Sequence, residues 1–256
     1  MSKPMLVYGY CYHFFGGETF EEKWRAGLKI LAGRAKWVRT YGMGGAENVG
    51  AITHEMGFKI ATGAWLSTDL SANEHELELL ISAAKRGEVD LAIIGSETLF
   101  RNDLTGAELT EYLRRFKEEV PNVPVMTCDV EEKLFAHPEV MEVCDIVGLH
   151  IYPYWHGISL AKSMEYVSAW HRKLSGFSGK EVLITETGWP SGGDTRGEAV
   201  ASPGNAKWYF DDFIGWAHKR GVRYFYFEAF DEAWKAQFEG PQGATWGRWK
   251  EDGTEK

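Results

Sequence analysis

A repeat in hydrophobicity governs how this chain can fold: a short apolar run followed by an amphipathic segment recurs eight times. The apolar runs are rich in β-branched and aromatic residues, and each therefore predicts a β-strand. Strands that alternate with helices form parallel sheets. The predicted strands are Met5–Tyr10, Lys36–Tyr41, Phe58–Trp65, Asp90–Glu97, Val123–Asp129, Asp145–Tyr152, Val182–Glu186 and Arg223–Phe230.

The predicted strands belong to one closed sheet. Leu91–Ile94 and Val182–Ile184 are almost continuously apolar, which indicates a sheet covered on both faces. A length of 256 residues without a low-complexity linker fits one domain of this kind. The turn Gly9-Tyr10-Cys11 lacks the glycine pattern of dinucleotide-binding open sheets. The sequence predicts one α/β domain over residues 1–256, a (β/α)₈ TIM barrel, with a short last helix or an irregular tail after Trp234.

The ends of the helices are marked by capping residues. In a capping box, a Ser or Thr side chain and a Glu three residues later satisfy the first amides of the helix. Two such boxes are predicted, Thr19 with Glu22 and Thr105 with Glu108. Single N-caps are predicted at Asn73 and Ser159. The glycines expected to close helices in a left-handed conformation are Gly33, Gly87, Gly176 and Gly221.

Charge and composition argue against several classes of function. The net charge is -9 at pH 7 and no long cluster of lysine or arginine occurs, so we expect no nucleic-acid partner. No apolar segment is long enough to span a bilayer, and the N-terminal apolar run is too short for a signal peptide. We expect a monomer that does not contact membranes.

The residues that commonly bind metals do not form a recognisable metal site in the sequence. Cys11, Cys128 and Cys144 are too few and too scattered for a disulfide framework or a zinc site, so we expect buried thiols. The histidines show no HExxH motif or clustered spacing. We therefore predict no catalytic metal and no cofactor.

Two glutamates stand where a parallel barrel places its chemistry, at the carboxyl ends of strands. Glu97 and Glu186 each complete an apolar strand and precede a loop, and burying a carboxylate there is costly without a purpose. Glycoside cleavage needs two carboxyl groups, held about 5 Å apart when the configuration is retained. Asp129 and Asp231 are better interpreted as helix caps or ion-pair partners.

The segment around Glu186 carries a specific resemblance. Thr185–Ser191, with the sequence TETGWPS, resembles the nucleophile signature of glycoside hydrolase family 17, the β-1,3-glucanases and related transglycosidases. The family's second strand is resembled by Val38–Tyr41, its fourth by Ile94–Glu97 and its eighth by Phe227–Lys235. These motifs occur along the chain in the same order as in the family.

The resemblance implies a β-1,3-glucan substrate, Glu186 as nucleophile and Glu97 as acid/base, and it suggests a secreted or periplasmic location. It also implies that Glu228, Glu232 and Lys235 form a polar wall around the two carboxylates.

Further side chains are candidate sugar contacts. The chain has 11 Trp, 11 Tyr and 14 Phe, and flat amphipathic rings are suited to the C–H face of a pyranose. Arg39 is expected to pair with a carboxylate at the mouth or to form a structural ion pair. His150 is either a substrate donor or a core histidine. Ser96 stands where many family members have Asn, so a contact to the sugar 2-hydroxyl is lost or water-mediated. The candidate platforms are Tyr10, Tyr41, Tyr152 and Trp189, with Tyr154, Trp155 and Trp234 at least as readily explained by loop packing.

Three functions remain open at this point. The first is an endo-acting β-1,3-glucan hydrolase or a β-1,3-glucan transglycosidase, which use the same catalytic pair. The second is a barrel that binds glucan without cleaving it, and the presence of both glutamates argues against it. The third is a barrel enzyme for phosphorylated sugars, for which Ser191–Asp194 is a weak imitation of a phosphate loop.

Overall fold

The computed structural model describes residues 6–13, 19–44 and 48–256, and eight parallel strands lie within them. Each lies within or overlaps a predicted run, although Met5 of the first run is outside the described residues. The eighth strand is much shorter than predicted, because the chain leaves the sheet after two residues. The strands are Val7–Cys11 (β1), Ala35–Arg39 (β2), Lys59–Ala64 (β3), Leu91–Ser96 (β4), Val125–Val130 (β5), Val147–His150 (β6), Val182–Glu186 (β7) and Phe225–Tyr226 (β8).

These strands form one sheet in the order β7-β6-β5-β4-β3-β2-β1-β8. Apart from β8, the order follows the chain, as in a barrel in which each strand is laid beside its predecessor. A parallel bridge between Ile184 of β7 and Tyr224, the residue before β8, joins the two ends of the order. The predicted (β/α)₈ barrel is therefore confirmed.

Helices alternate with the strands along the chain. Two 3₁₀ turns, Ala233–Lys235 and Pro241–Ala244, flank the last helix, which has only four residues. The prediction of a short last helix is confirmed. The helices are Phe20–Leu31 (α1), Val49–Glu55 (α2), Leu70–Lys85 (α3), Gly106–Glu119 (α4), Glu131–Ala136 (α5), Pro138–Val143 (α6), Leu160–Ser178 (α7), Pro203–Arg220 (α8) and Ala236–Glu239 (α9).

Both predicted capping boxes are present, at Thr19 and Thr105. The predicted N-cap at Asn73 is wrong. Asp69 caps α3 instead, since its carboxylate accepts hydrogen bonds from the amides of Ser71 and Ala72. Asn73 lies one turn into the helix and is buried, where its side chain bonds the backbone of the preceding loop. The helix α7 begins directly after Ser159.

Three of the four predicted closing glycines have positive φ, namely Gly33, Gly87 and Gly221. The prediction for Gly176 is wrong, because α7 continues through it to Ser178. Gly179, with a φ of 65°, occupies the left-handed position after that helix. A side chain would be strained at this φ, which explains why the helix ends at a glycine.

The described residues divide into two compact units, and each has its own core. One unit consists of Trp37–His150 and Lys173–Leu183. In it, leucines of α3 and α4, such as Leu80 and Leu113, pack against apolar side chains of the strands, such as Ile94.

The other unit consists of the described residues of Met1–Lys36 with Ile151–Arg172 and Ile184–Lys256. Its core is aromatic. Phe213 of α8 packs edge-on against Tyr224, with ring centroids 5.1 Å apart, and Tyr209 stacks on the same phenyl ring.

The three cysteines are free and buried, which confirms their prediction as buried thiols. Burial raises the pKa of the Cys144 thiol to about 12, so this group is a neutral thiol at physiological pH. Among the described residues, no helix combines the length and the apolar character that crossing a membrane requires.

Candidate active site

Glu97 follows directly after β4, where the pairing of β4 with β5 shifts register between Ile93 and Ser96. Such an irregularity redirects the side chains at the end of a strand. Gly95 has a φ of 76°, and a Cβ there would lie 2.5 Å from Thr98 Oγ1, so only glycine fits. Glu97 itself has a φ of 54°, a sparsely populated conformation for a residue with a side chain.

A hydrogen-bonded chain of side chains reaches the Glu97 carboxylate. The guanidinium of Arg39 donates to Ser96 Oγ at 2.9 Å and lies 3.3 Å from His150 Nε2. His150 Nδ1 lies 2.9 Å from Glu97 Oε1. Arginine can only donate, so His150 Nε2 must accept, and the imidazole proton is then on Nδ1. His150 is therefore a neutral imidazole that donates to Glu97.

Arg39 is fully buried, and its guanidinium lies 4.7 Å over the ring of Tyr41. A buried guanidinium needs acceptors or an aromatic face in place of water. Ser96 and His150 serve as acceptors and Tyr41 supplies the face. Arg39 thus acts on Glu97 through His150, a relay that the sequence analysis did not anticipate.

Asp129 supports the loop that follows Glu97. Its carboxylate accepts from the amides of Leu99 and Phe100, at 2.9 and 3.3 Å, and from the amide of Val130 at 2.9 Å. Burial raises the pKa of this carboxyl group, and the bonds from Val130 and Leu99 partly oppose that shift. Asp129 is thus neither a helix cap nor a simple ion-pair partner. Asp231, in contrast, is bound by Lys256 Nζ at 2.6 Å, the ion pair that was expected.

Glu186 is the last residue of β7 and its side chain is buried. The Tyr152 hydroxyl donates to Glu186 Oε2 at 2.7 Å. The backbone carbonyl of Glu186 accepts from the amide of Ile151 at 2.9 Å, which fixes the strand end beside the tyrosine. Tyr152 is itself packed edge-on between Phe227 and Trp246. The carboxylate is thus bound by a neutral donor whose own position is fixed by packing.

Trp189 and Tyr10, both predicted sugar platforms, are buried in side-chain packing. Trp189 donates its indole N–H to the carbonyl of Val200 at 2.9 Å and so holds the loop after β7. Tyr10 packs edge-on against Tyr226 and Trp249, and burial raises its pKa. Their assignment as sugar contacts stays a prediction.

Glu228, Glu232 and Lys235 form one buried cluster. Lys235 Nζ binds Glu228 and lies 2.7 Å from Glu232 Oε2, while His13 lies 3.4 Å from the other oxygen of Glu232. Burial raises the pKa of Glu228 well above its usual value, despite the opposing charge of Lys235. Burial acts in the same direction on Glu232, but His13 and Lys235 outweigh it and lower its pKa. The two carboxylates therefore differ in their affinity for a proton.

The structure gathers most of the predicted site residues into two groups and leaves a few outside them. Sequence reasoning missed Arg101, whose side chain donates to the carbonyl of Ser96 at 2.6 Å and whose amide donates to the carbonyl of Glu97 at 2.9 Å. Only its spacing of four residues from Glu97 could have indicated this role. The first group contains Glu97, Ser96, Arg39, Tyr41 and His150, and the second contains Glu186, Tyr152, Glu228, Glu232 and Lys235. In the second group, the ring of Phe227 contacts both Tyr152 and Lys235 and so joins its two parts.

Comparison with known protein families gives one match that spans most of the chain. Residues 11–247 match the model of the BtgE/BtgC glycoside hydrolase domain. A Candida albicans protein named glucan 1,3-beta-glucosidase BGL2 is 28% identical, and the match covers 90% of this chain and 83% of the relative. An Aspergillus clavatus protein named probable glucan endo-1,3-beta-glucosidase btgC is 30% identical, but the match covers 70% of this chain and only 30% of that protein.

Solved structures show the same architecture. A β-1,3-glucanosyltransferase from Rhizomucor miehei, assigned to glycoside hydrolase family 17, has a TM-score of 0.89 and 28% identity, with 98% of this chain and 95% of the other covered. An active-site mutant of that enzyme was solved in complex with laminaritriose. A Cryptomeria japonica pollen β-1,3-glucanase has a TM-score of 0.71 at 14% identity over 97% of both chains, which shows the shared fold.

Proposed function

The chain belongs to the BtgE/BtgC glycoside hydrolase domain family, and we propose that it cleaves β-1,3-glucan with retention of configuration. The predicted relation to glycoside hydrolase family 17 is confirmed. The chain is an enzyme of the glycoside hydrolase or related transferase class. The observation that carries the proposal is that Glu97 and Glu186, at the ends of β4 and β7, are each bound by a positioned hydrogen-bond donor.

Glu186 is the nucleophile in this proposal. A carboxylate oxygen attacks the anomeric carbon from the face opposite the leaving group, and the bond between that carbon and the glycosidic oxygen breaks. The product is a glucosyl ester on Glu186. The Tyr152 hydroxyl orients the carboxylate without neutralising it, because a phenol donates a hydrogen bond and keeps its proton.

Glu97 is the general acid and then the general base. In the first step its carboxyl group gives a proton to the departing glycosidic oxygen, and in the second it takes a proton from the incoming acceptor. Because His150 donates to Oε1 from Nδ1, the proposal has the transferable proton on Oε2. Since the histidine is itself held by Arg39, it orients Glu97 through both steps without exchanging protons with it.

The cluster of Glu228, Glu232 and Lys235 is proposed to bind sugar hydroxyl groups. Within the described part of the chain, Glu228 Oε1 is buried and no hydrogen bond to it is made. A buried oxygen of this kind is a strong acceptor for a ligand hydroxyl, which would restore the bond lost with water. Lys235 keeps the cluster from carrying two uncompensated charges.

Water and a second sugar are alternative acceptors for the glucosyl group. The names of the Candida and Aspergillus relatives favour hydrolysis, with endo action in the Aspergillus proteins. The similarity to a Rhizomucor glucanosyltransferase over nearly the whole of both chains favours transfer. We take endo hydrolysis as the principal function and transglycosylation as the second candidate, because both need the same two glutamates.

Incubation with laminarihexaose tests the proposal. Chromatography over a time course should show shorter products for hydrolysis and additional longer products for transfer, and NMR of the first products should show the β anomer. The Glu186→Ala variant, tested at the same concentration, should give neither. A wild-type enzyme that leaves laminari-oligosaccharides intact, or that releases the α anomer first, would refute the assignment.

A further inference from the structure

An exposed indole lies in the loop that follows β3. Trp65 comes directly after the last residue of that strand, and 41% of its surface is exposed. Exposure alone does not mark a binding site, since Trp208 is similarly exposed, so what matters is what holds this indole and where it lies. Trp65 was not among the residues that the sequence analysis singled out.

One face of the indole is covered by a fixed cation. The guanidinium carbon of Arg101 lies 4.4 Å from the ring centroid of Trp65. That guanidinium also donates to the carbonyls of Ser96 and Leu66, at 2.6 and 3.0 Å, and to Asp103 at 2.7 Å. All three bonds hold it in one orientation, so the ring stacked on it is held as well.

The backbone of Trp65 is also fixed. The carboxylate of Glu76 accepts from its amide at 3.2 Å and from the amides of Met43 and Gly44, at 2.8 and 2.7 Å. One side chain of α3 therefore joins the loop after β2 to the loop after β3. A Cβ on Gly42 would lie 2.9 Å from this carboxylate and 3.2 Å from Trp65 Cβ, which shows how closely these loops pack.

The indole is continuous with the group of side chains around Glu97. Arg101 binds the carbonyl of Ser96, the residue before Glu97. The ring centroids of Tyr41 and Trp65 are 6.5 Å apart. The guanidinium of Arg39 lies over the face of the Tyr41 ring. Trp65 is thus held rigidly by the same residues that position the acid/base.

We propose that Trp65 is a stacking platform for a glucosyl unit of the bound glucan at a distance from the scissile bond, and that Arg101 is the positioning residue beneath it. The inference rests on the proposed function. A β-glucosyl ring has equatorial hydroxyls and apolar C–H faces, which match the open face of a rigid indole. Because the platform is already ordered, little conformational entropy is lost when the sugar binds.

Binding of oligosaccharides of two lengths tests the proposal. Laminaribiose and laminarihexaose would be titrated calorimetrically into the Glu186→Gln variant and into the same protein with Trp65→Ala. We expect the Kd for the hexaose to rise about tenfold, the equivalent of one lost stacking contact, while that for the biose is unchanged. Trp65→Phe should retain part of the affinity, and Arg101→Gln should weaken hexaose binding less than Trp65→Ala does.

Trp208→Ala is the matched control, since Trp208 is similarly exposed, at 44%, but lies on α8. The proposal is overturned if Trp65→Ala and Trp208→Ala bind the hexaose within twofold of each other. It is also overturned if Trp65→Ala weakens both sugars equally, which would indicate a general distortion of the fold. A parent protein that neither binds nor cleaves any laminari-oligosaccharide would instead refute the proposed function, and this inference with it.

Discussion

Glu97 directly follows one strand of the barrel and Glu186 ends another, but their surroundings differ in kind. Glu97 is bound by an imidazole and its side chain is 29% exposed, whereas Glu186 is bound by a phenol and is only 6% exposed. Around Glu97 the neighbours are hydrogen-bonding groups held by a buried arginine. Around Tyr152, which holds Glu186, they are aromatic rings.

This difference matches what each role demands. In each cycle a general acid/base gives a proton to the departing oxygen and takes one from the incoming acceptor, so it needs access from outside and a partner that does not compete for the proton. A nucleophile must form and break a covalent bond at a fixed position, so it benefits from burial and from rigid packing. These surroundings therefore support the two proposed roles on grounds independent of sequence motifs.

The strongest test of this contrast removes each carboxylate in turn. We expect Glu97→Ala and Glu186→Ala each to lower kcat on laminarin by about 10⁴-fold or more, because each removes a whole catalytic function. With an aryl β-glucoside and added azide, Glu97→Ala should regain activity and yield the β-glucosyl azide, since azide then replaces water on the covalent intermediate. Product configuration by NMR is the measurement.

The nucleophile variant provides the matched control in the same experiment. With azide, Glu186→Ala can form only the α-glucosyl azide, because the anion takes the place of the missing carboxylate. Identical azide products from the two variants would show that the roles are not divided as proposed. Retention of more than about a tenth of the wild-type rate by either variant would contradict the two-carboxylate scheme.

A smaller effect is expected when the donor to Glu186 is removed. Tyr152→Phe keeps the aromatic packing and deletes the hydroxyl that lies 2.7 Å from Oε2. Loss of one positioned donor in an active site reduces kcat by about 10²-fold, and we expect KM to change little. A thermal melt within a few degrees of wild type would show that packing is intact. A Tyr152→Phe enzyme with the wild-type kcat would mean that packing alone positions the carboxylate.

The strands and the two glutamates could be predicted because both depend on local pattern. β4 and β7 are continuous apolar runs, and a carboxylate that ends such a run is visible without knowledge of the fold. The predicted start of α3 is wrong because Asp69 and Asn73 are both good N-cap residues, and the preceding loop decides which of them caps the helix. Local propensity carries no information about that loop.

The connections between site residues could not be predicted, because they join distant parts of the chain. His150 lies 111 residues from Arg39 along the chain. From the sequence it could be a substrate donor or a core histidine, and only the contact with Arg39 indicates its tautomer. Arg101 reaches the loop after β3 through Leu66 and Trp65, neither of which belongs to a motif. The sequence therefore predicted the two candidate carboxylates, whereas only the structure shows which side chains hold them.

The smallest predicted effect concerns Ser96, the residue directly before Glu97. The Ser96 hydroxyl accepts from Arg39 at 2.9 Å and is buried, so its first task is to hold the arginine that orients His150. An asparagine carbonyl can accept the same bond while its amide donates to the substrate. We expect Ser96→Asn to change kcat by less than about threefold. The glucosyl ester should form at the wild-type rate or faster, and the product should still be the β anomer.

Ser96→Ala is the matched control, because it removes the acceptor for Arg39 without replacing it. It leaves a buried guanidinium N–H without its acceptor, which costs about 1–3 kcal/mol of stability and loosens the support of His150. If Ser96→Asn lost as much stability and activity as Ser96→Ala, the amide could not be replacing the hydroxyl. Position 96 would then require a hydroxyl as acceptor for Arg39, and an asparagine there would need a compensating change at Arg39.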